Sequence, residues 1–203
     1  MYNAKRKRRM AWMTIGLSVC VLACSMLYLD QQRQSGTVLV FHENEVLSLP
    51  LIEERHIEMP MNINAQKVMS YYESSKSEDE LLQSVVEYEG VYRPSQSVCY
   101  SYNDKVFEVI AMYSGVVADV YEDELMGKCV DVDHGSGLVV SYQSLSSTLL
   151  NAGDQVSQFD VIGLAGENRY YAQLGIHAQI TAHLNGQLVD PESLIDRKIS
   201  EIK

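Results

Sequence analysis

The stretch Cys129-Val130-Asp131-Val132-Asp133-His134, Gly135-Ser136-Gly137, Leu138-Val139-Val140-Ser141-Tyr142-Gln143 sets the reading of the whole chain. Two short runs rich in Val and Tyr flank a glycine-rich triplet, the pattern of two strands joined by a hairpin turn. The same texture spreads outward from it. Val106–Met112, Gly115–Tyr121, Asp160–Leu164, Ile176–Leu184 and Gln187–Val189 are further strand candidates, broken by Gly, Asn and Asp. Asn185-Gly186 between the last two is the strongest hairpin signal in the chain. Regular short strands without alternating helices predict a mainly β fold, an antiparallel sandwich or barrel.

Upstream of Glu87 the pattern differs. Asn64 to Tyr72 is expected to be helical. Ser77-Glu78-Asp79-Glu80 carries a Ser-x-x-Glu capping box followed by Leu81, Leu82 and Val85, which predicts a short helix start. Thr37–Phe41 and Val46–Pro50 read as short strands around a turn at His42 to Asn44, and Asp30 to Gly36 as a polar linker. At the front, Lys5, Arg6, Lys7, Arg8 and Arg9 precede Met10–Leu29, which holds no charge. A helix over that run spans about 30 Å, the thickness of a bilayer's hydrocarbon core. Lys and Arg stay on the cytoplasmic side, so the N-terminus is expected inside and everything after Asp30 outside. The run is too long for the core of a cleavable signal peptide and ends in no Ala-x-Ala site. Val21-Leu22-Ala23-Cys24 is a loose lipoprotein match that leaves the apolar residues after it unexplained. The expected organisation is a cytoplasmic tail over 1–9, a transmembrane helix over 10–29, a lead-in over 30–86 and a β domain over 87–196.

Five of the 16 basic residues precede the apolar run, leaving 11 against 27 acidic residues for the remainder. Such a surface repels phosphate backbones and excludes nucleic-acid binding. The 46% apolar composition suffices for a packed core. Cys20 and Cys24 lie in the apolar run. Cys99 and Cys129 could pair, but two cysteines are not a disulfide framework.

Several phrases of the β half resemble the LytM (lysostaphin-type) zinc endopeptidase domain. They are Val132 to Gly137, Ser141-Tyr142-Gln143-Ser144-Leu145-Ser146, Gly153-Asp154-Gln155-Val156 with Val161 to Gly166, Gly175 to Ile180, Asn185-Gly186 and Asp190-Pro191. In order, they cover roughly residues 90–195. The resemblance implies a single LytM-like antiparallel β-sandwich domain. The basic tail, single apolar run and altered motifs are similar to a membrane-anchored, degenerate branch of the family in endospore-forming bacteria.

That family holds zinc with a His-x-x-x-Asp segment and the second His of His-x-His, while two further histidines assist. Aligned on Tyr92 and Pro94, the first pair falls at Ser95 and Cys99. The third ligand falls at Gln179, the polarising His of Tyr-x-His at Ser144, and the first His of His-x-His at His177. Only His177 keeps its family type. A hydroxyl and a carboxamide are poor zinc ligands beside imidazole, carboxylate or thiolate. No His lies between His56 and His134, so a small shift of register restores nothing. The resemblance therefore implies no catalytic residue, no metal and no cofactor.

The remaining histidines have plain readings. His134 is expected to cap a strand at the glycine turn, and His42 and His56 to be solvated outside the domain. His177 and His183 would share a strand face about 20 Å apart, too far to share an ion. What the resemblance implies is an inactive scaffold in the forespore membrane of a sporulating cell. It would bind a partner resembling stage III sporulation protein AH across the intermembrane space, as a zipper, channel or ring. The alternatives are an active zinc endopeptidase on peptidoglycan with non-standard ligands such as Cys99 and His177, or an activator of a separate hydrolase. A lipoyl- or biotinyl-type carrier is set aside because neither hairpin tip carries a lysine.

Overall fold

The structure, a computed structural model, describes residues 55–202. The basic tail, the Met10–Leu29 helix, the strands expected at 37–41 and 46–50, and His42 lie outside the described residues.

The chain forms β1 (Gln66–Met69), α1 (Glu78–Leu82), β2 (Val85–Tyr88), β3 (Val91–Pro94), β4 (Val98–Ser101), β5 (Glu108–Ile110), β6 (Gly115–Asp123), β7 (Gly127–Asp133), β8 (Leu138–Ser147), β9 (Gln155–Val156), β10 (Val161–Ala165), β11 (Ala178–Leu184) and β12 (Gln187–Val189). Ten strands join in one antiparallel sheet whose main path runs β1-β4-β11-β8-β7-β6-β9. β12 extends β11, and β10 links β5 to the far end of β8. β8 thus pairs with β11 over Leu138 to Gln143, with β7 from Val139 to Leu145, and with β10 at Leu145 and Ser147. Val109, Ile162 and Ala165 of the β5–β10 ladder, with Ala111 just after β5, share one buried core with Val130, Val132, Val140 and Ile180 of the main sheet. Burying each such branched side chain contributes about 1.5–3 kcal/mol.

Both hairpins expected from the sequence form. Asn185 and Gly186 take φ of 52° and 77°, and Leu184 pairs with Gln187 across the turn. Asp133 Oδ1 accepts the Gly135 N–H at 2.8 Å as β7 turns into β8. Gly163 and Gly166 are required by close approach. A Cβ at Gly166 would lie 2.7 Å from the Ser146 nitrogen, and one at Gly163 would meet the Ser147 carbonyl. A larger residue at either place pushes β10 off β8.

The capping box at α1 forms, with the Glu80 carboxylate accepting the Ser77 backbone N–H at 3.1 Å and its hydroxyl at 2.6 Å. The helix expected over Asn64–Tyr72 does not form. Gln66–Met69 is a strand paired with Ser101 to Cys99, because β4 presents a free edge that Met69 can bury against. The core draws on residues from Ile57 and Met61 through to Leu194 and Ile202. Arg55–Met61 runs alongside the sheet, held by Ile57 N–H to the Arg197 carbonyl and Ile110 N–H to the Pro60 carbonyl. His56 is exposed, while its carbonyl accepts the Gln158 side-chain amide. Cys99 and Cys129 are free, buried thiols and do not pair.

Candidate functional site

β4 and β11 are neighbours, and their register sets Cys99 directly opposite Gln179. On its other side Gln179 faces Gln143 of β8. Directly paired residues share a sheet face, as do residues two apart on one strand. Ser97, Cys99, Gln179 and Gln143 therefore lie on one face, opposite the one that carries Val130, Val140 and Ile180 into the core.

The five positions singled out in the sequence converge here, and all are buried. Ser144, at φ 61°, donates its hydroxyl to the Gly166 carbonyl at 3.3 Å. The same carbonyl accepts the His177 N–H at 2.8 Å. His177 precedes β11, joined to Gly166 by an isolated bridge, so it is not on a regular strand with the half-exposed His183. Its Nδ1 lies 2.7 Å from the Gly175 carbonyl and therefore carries the proton, while Nε2 is buried with no hydrogen-bond partner. Burial holds the His177 imidazole below its ordinary pKa. Burial likewise pushes the Cys99 thiol far up, against a smaller opposing contribution from Ser97.

Three residues that the sequence reading passed over complete the cluster. Tyr171, 1% exposed, lies edge-on to His177 at 6.0 Å between ring centroids. Its hydroxyl sits 3.0 Å from both Ser95 Oγ and Ser97 Oγ. Ser95 Oγ–H donates to the Ser97 carbonyl at 2.8 Å, so Ser95 accepts from Tyr171, and Ser97 donates to Tyr171. Desolvation pushes the Tyr171 phenol up to about 12, which keeps this proton in place through the neutral range. Asn168 fastens the segment. Its Oδ1 accepts the Tyr171 N–H at 2.7 Å and its Nδ2 donates to Gln179 Oε1 at 2.8 Å. The Asn two residues before a Tyr-Tyr pair, between Gly166 and Gly175, is the local turn chemistry that could have flagged it.

A groove of about 380 Å³ lies over this cluster, walled by Arg93, Gln96, Met126, Gln143, Tyr170 and Thr181 and floored by Tyr171 and Gln179. Ser95, Cys99 and His177 do not reach it. Zinc needs three imidazole, carboxylate or thiolate ligands and an open position. Among the described residues no group of three His, Cys, Asp or Glu could hold a metal. Two hydroxyls, a carboxamide, a protonated thiol and one imidazole lone pair do not fit it.

His134 follows the last residue of β7 at the glycine turn, where the sequence places it, with its N–H on the Leu138 carbonyl at 2.9 Å. It is buried, with Nδ1 3.2 Å from the Ser114 carbonyl and Nε2 3.2 Å from the Tyr142 hydroxyl.

Residues 95–191 match peptidase family M23. One chain of a solved SpoIIQ–SpoIIIAH pore-forming complex has the same fold, with a TM-score of 0.70 and 32% identity over 73% of this chain and 96% of that one. A chain of a second SpoIIIAH and SpoIIQ complex gives 0.66 and 31%, over 69% of this chain and 100% of that one. Residues 95–191 thus form a domain of the M23 type, in its LytM-like, mainly β antiparallel form. It resembles stage II sporulation protein Q of Bacillus subtilis (strain 168), at 29% identity over 160 residues, or 78% of this chain. The chain spans about half the length of that curated relative, 54%.

Proposed function

We propose that the chain is a catalytically inert M23-fold scaffold that binds an extracytoplasmic partner resembling SpoIIIAH. The observation that carries this reading is the sealed cluster. In this reading Ser95, Cys99, Ser144, His177 and Gln179 stand at the positions of the family's ligands and assisting histidines; Ser95, Ser144, Gln179 and His177 Nδ1 are held in hydrogen bonds and Cys99 is a buried thiol, which leaves no metal ligand set. Without a bound metal no water is activated, and His177, with its Nδ1 committed to Gly175, has no substrate to act on. The likeness to SpoIIQ, solved in complex with SpoIIIAH, supplies the partner's class.

In this reading Met10–Leu29 anchors the chain in the forespore membrane of a sporulating cell with residues 1–9 in the cytoplasm. The domain faces the intermembrane space, where chain and partner form part of a channel or ring. The acidic surface calls for a basic face on the partner, so assembly weakens with salt.

The test combines the region from Gln31 onward with the ectodomain of the SpoIIIAH-like partner in sedimentation and calorimetry. Binding at micromolar concentration, weakening between low and high salt, is expected. No complex at that concentration removes the partner reading. Tightly held zinc in the same preparation, at about one per chain, removes the inert one.

A further inference from the structure

We propose that the segment 167–176 is a plug, in which Tyr171 fills the space the three metal ligands would need and replaces the metal as the tie between β4 and β11. The inference rests on the assignment of Ser95, Cys99 and Gln179 to the ligand positions.

Three observations carry it. The segment starts and ends at one point, because Gly166 and His177 bridge to each other, with the His177 N–H on the Gly166 carbonyl at 2.8 Å. It is therefore a closed loop that projects its middle in a set direction. Its middle points inward, since Tyr171 is almost wholly buried, and the groove ends on Tyr171 and Gln179 without reaching Ser95, Cys99 or His177. The loop is also fastened at both sides of the cluster. The Tyr171 hydroxyl engages Ser95 and Ser97 ahead of β4, and Asn168 engages Gln179 on β11. A tetrahedral metal site would join these same segments through ligand bonds. Here a phenol and a carboxamide do so through neutral hydrogen bonds that neither a chelator nor a change of pH near neutrality removes. Behind the plug, Tyr170 lies edge-on to Tyr171 at 5.0 Å and tilted against Tyr88 of β2 at 5.3 Å, which ties the loop to the separate β2–β3 hairpin.

The test rebuilds the ligands with and without the plug, in the full chain. One variant carries Ser95→His, Cys99→Asp and Gln179→His, and a second adds Tyr171→Ala. After incubation with zinc and dialysis, elemental analysis is expected to find at least about tenfold more zinc in the second, approaching one per chain. Stoichiometric zinc in the first overturns the plug and leaves the ligand assignment standing. No zinc in either, with far-ultraviolet circular dichroism showing both folded, overturns the assignment and the plug together. If either variant fails to fold, Tyr171→Phe in the otherwise natural chain decides. Loss of that one hydroxyl is expected to speed amide exchange about fivefold in residues 95–99 and 167–179 relative to β7. Equal exchange overturns the tie.

Discussion

Two buried histidines in this domain lie edge-on against a tyrosine in nearly the same way, and they are satisfied differently. His134 meets Tyr142 at 6.4 Å and 79°, and His177 meets Tyr171 at 6.0 Å and 80°. In the first pair every valence closes. The Met112 N–H donates to the Tyr142 oxygen at 2.9 Å, the Tyr142 hydroxyl donates to His134 Nε2, and His134 Nδ1–H donates to Ser114. In the second pair Tyr171 looks away to its serines and His177 Nε2 has no donor. Buried polar atoms are almost always paired, so an open valence inside an otherwise closed network marks a place where the surroundings were not built for that side chain. The His134 node holds two layers of the fold together. On the His177 side one buried nitrogen stays open among side chains that pair elsewhere.

The harshest way to break the comparison is to empty one side of it. Tyr171→Ala removes a fully buried ring and opens a cavity between β4, β11 and the 167–176 loop. A loss of about 3–5 kcal/mol is expected by urea unfolding at neutral pH. A loss under about 1 kcal/mol would mean that the loop does not hold the cluster together.

Acid separates the two nodes next. Burial lowers the His134 imidazole to about 4. Above about pH 6.5 neither folded nor unfolded chain protonates this histidine. Between 6.5 and 4 the unfolded chain takes the proton and the folded one does not, so stability falls as pH falls through that window, by about 3 kcal/mol in total. His177 is shifted in the same direction by the same cause. Carboxylates titrate nearby, including Asp131, which burial raises, so the measurement is a difference. Unfolding midpoints of the natural chain and of His134→Gln are followed from pH 7 to pH 4, and the variant is expected to show the flatter profile. Parallel profiles would remove the node from the acid response.

Much of the fold was legible because the relevant residues act locally. The strands β6, β7, β8, β10, β11 and β12 carry Val, Ile and Tyr between Gly and Asn turns, and a turn such as Asn185-Gly186 needs only its own two residues. β1 and β4 were not legible in the same way. Gln66-Lys67-Val68-Met69 becomes a strand only because β4 lies beside it, and Val98-Cys99-Tyr100-Ser101 is buried on both faces and shows no alternation. Within the site, the positions fixed by resemblance fell into one cluster, as Cys99 opposite Gln179 illustrates. Tyr171 and Asn168 were missed since their partners, Ser95 and Gln179, are 76 and 11 residues away in the chain. Nothing local distinguishes a loop tyrosine that faces solvent from one that closes a site.

Removing a hydroxyl sharpens the comparison at lower cost. Tyr142→Phe strips the Met112 N–H of its acceptor and His134 Nε2 of its donor, both buried, with an expected loss of about 2 kcal/mol. Tyr171→Phe is milder, at about 1 kcal/mol, because Ser95 keeps its bond to the Ser97 carbonyl. The order of the two urea midpoints is the check, and a reversed order would contradict the closed and open assignment.

The smallest expected effect is the most discriminating. His177→Phe keeps a buried ring of similar size and removes an imidazole nitrogen that has no partner. Its one loss is the Nδ1–H bond to Gly175, a carbonyl at the end of a loop. Deleting an unsatisfied polar atom recovers desolvation that the natural chain never offset, so the two contributions oppose and the net change is expected within about 1 kcal/mol of zero. The matched change His134→Phe leaves the Ser114 carbonyl without its donor and the Tyr142 O–H without its acceptor, although the Tyr142 oxygen keeps the Met112 N–H, and is expected to cost about 2 kcal/mol or more. If His177→Phe costs as much as His134→Phe, then Nε2 is held by a group such as an internal water, and the cluster is a completed node rather than a remodelled one.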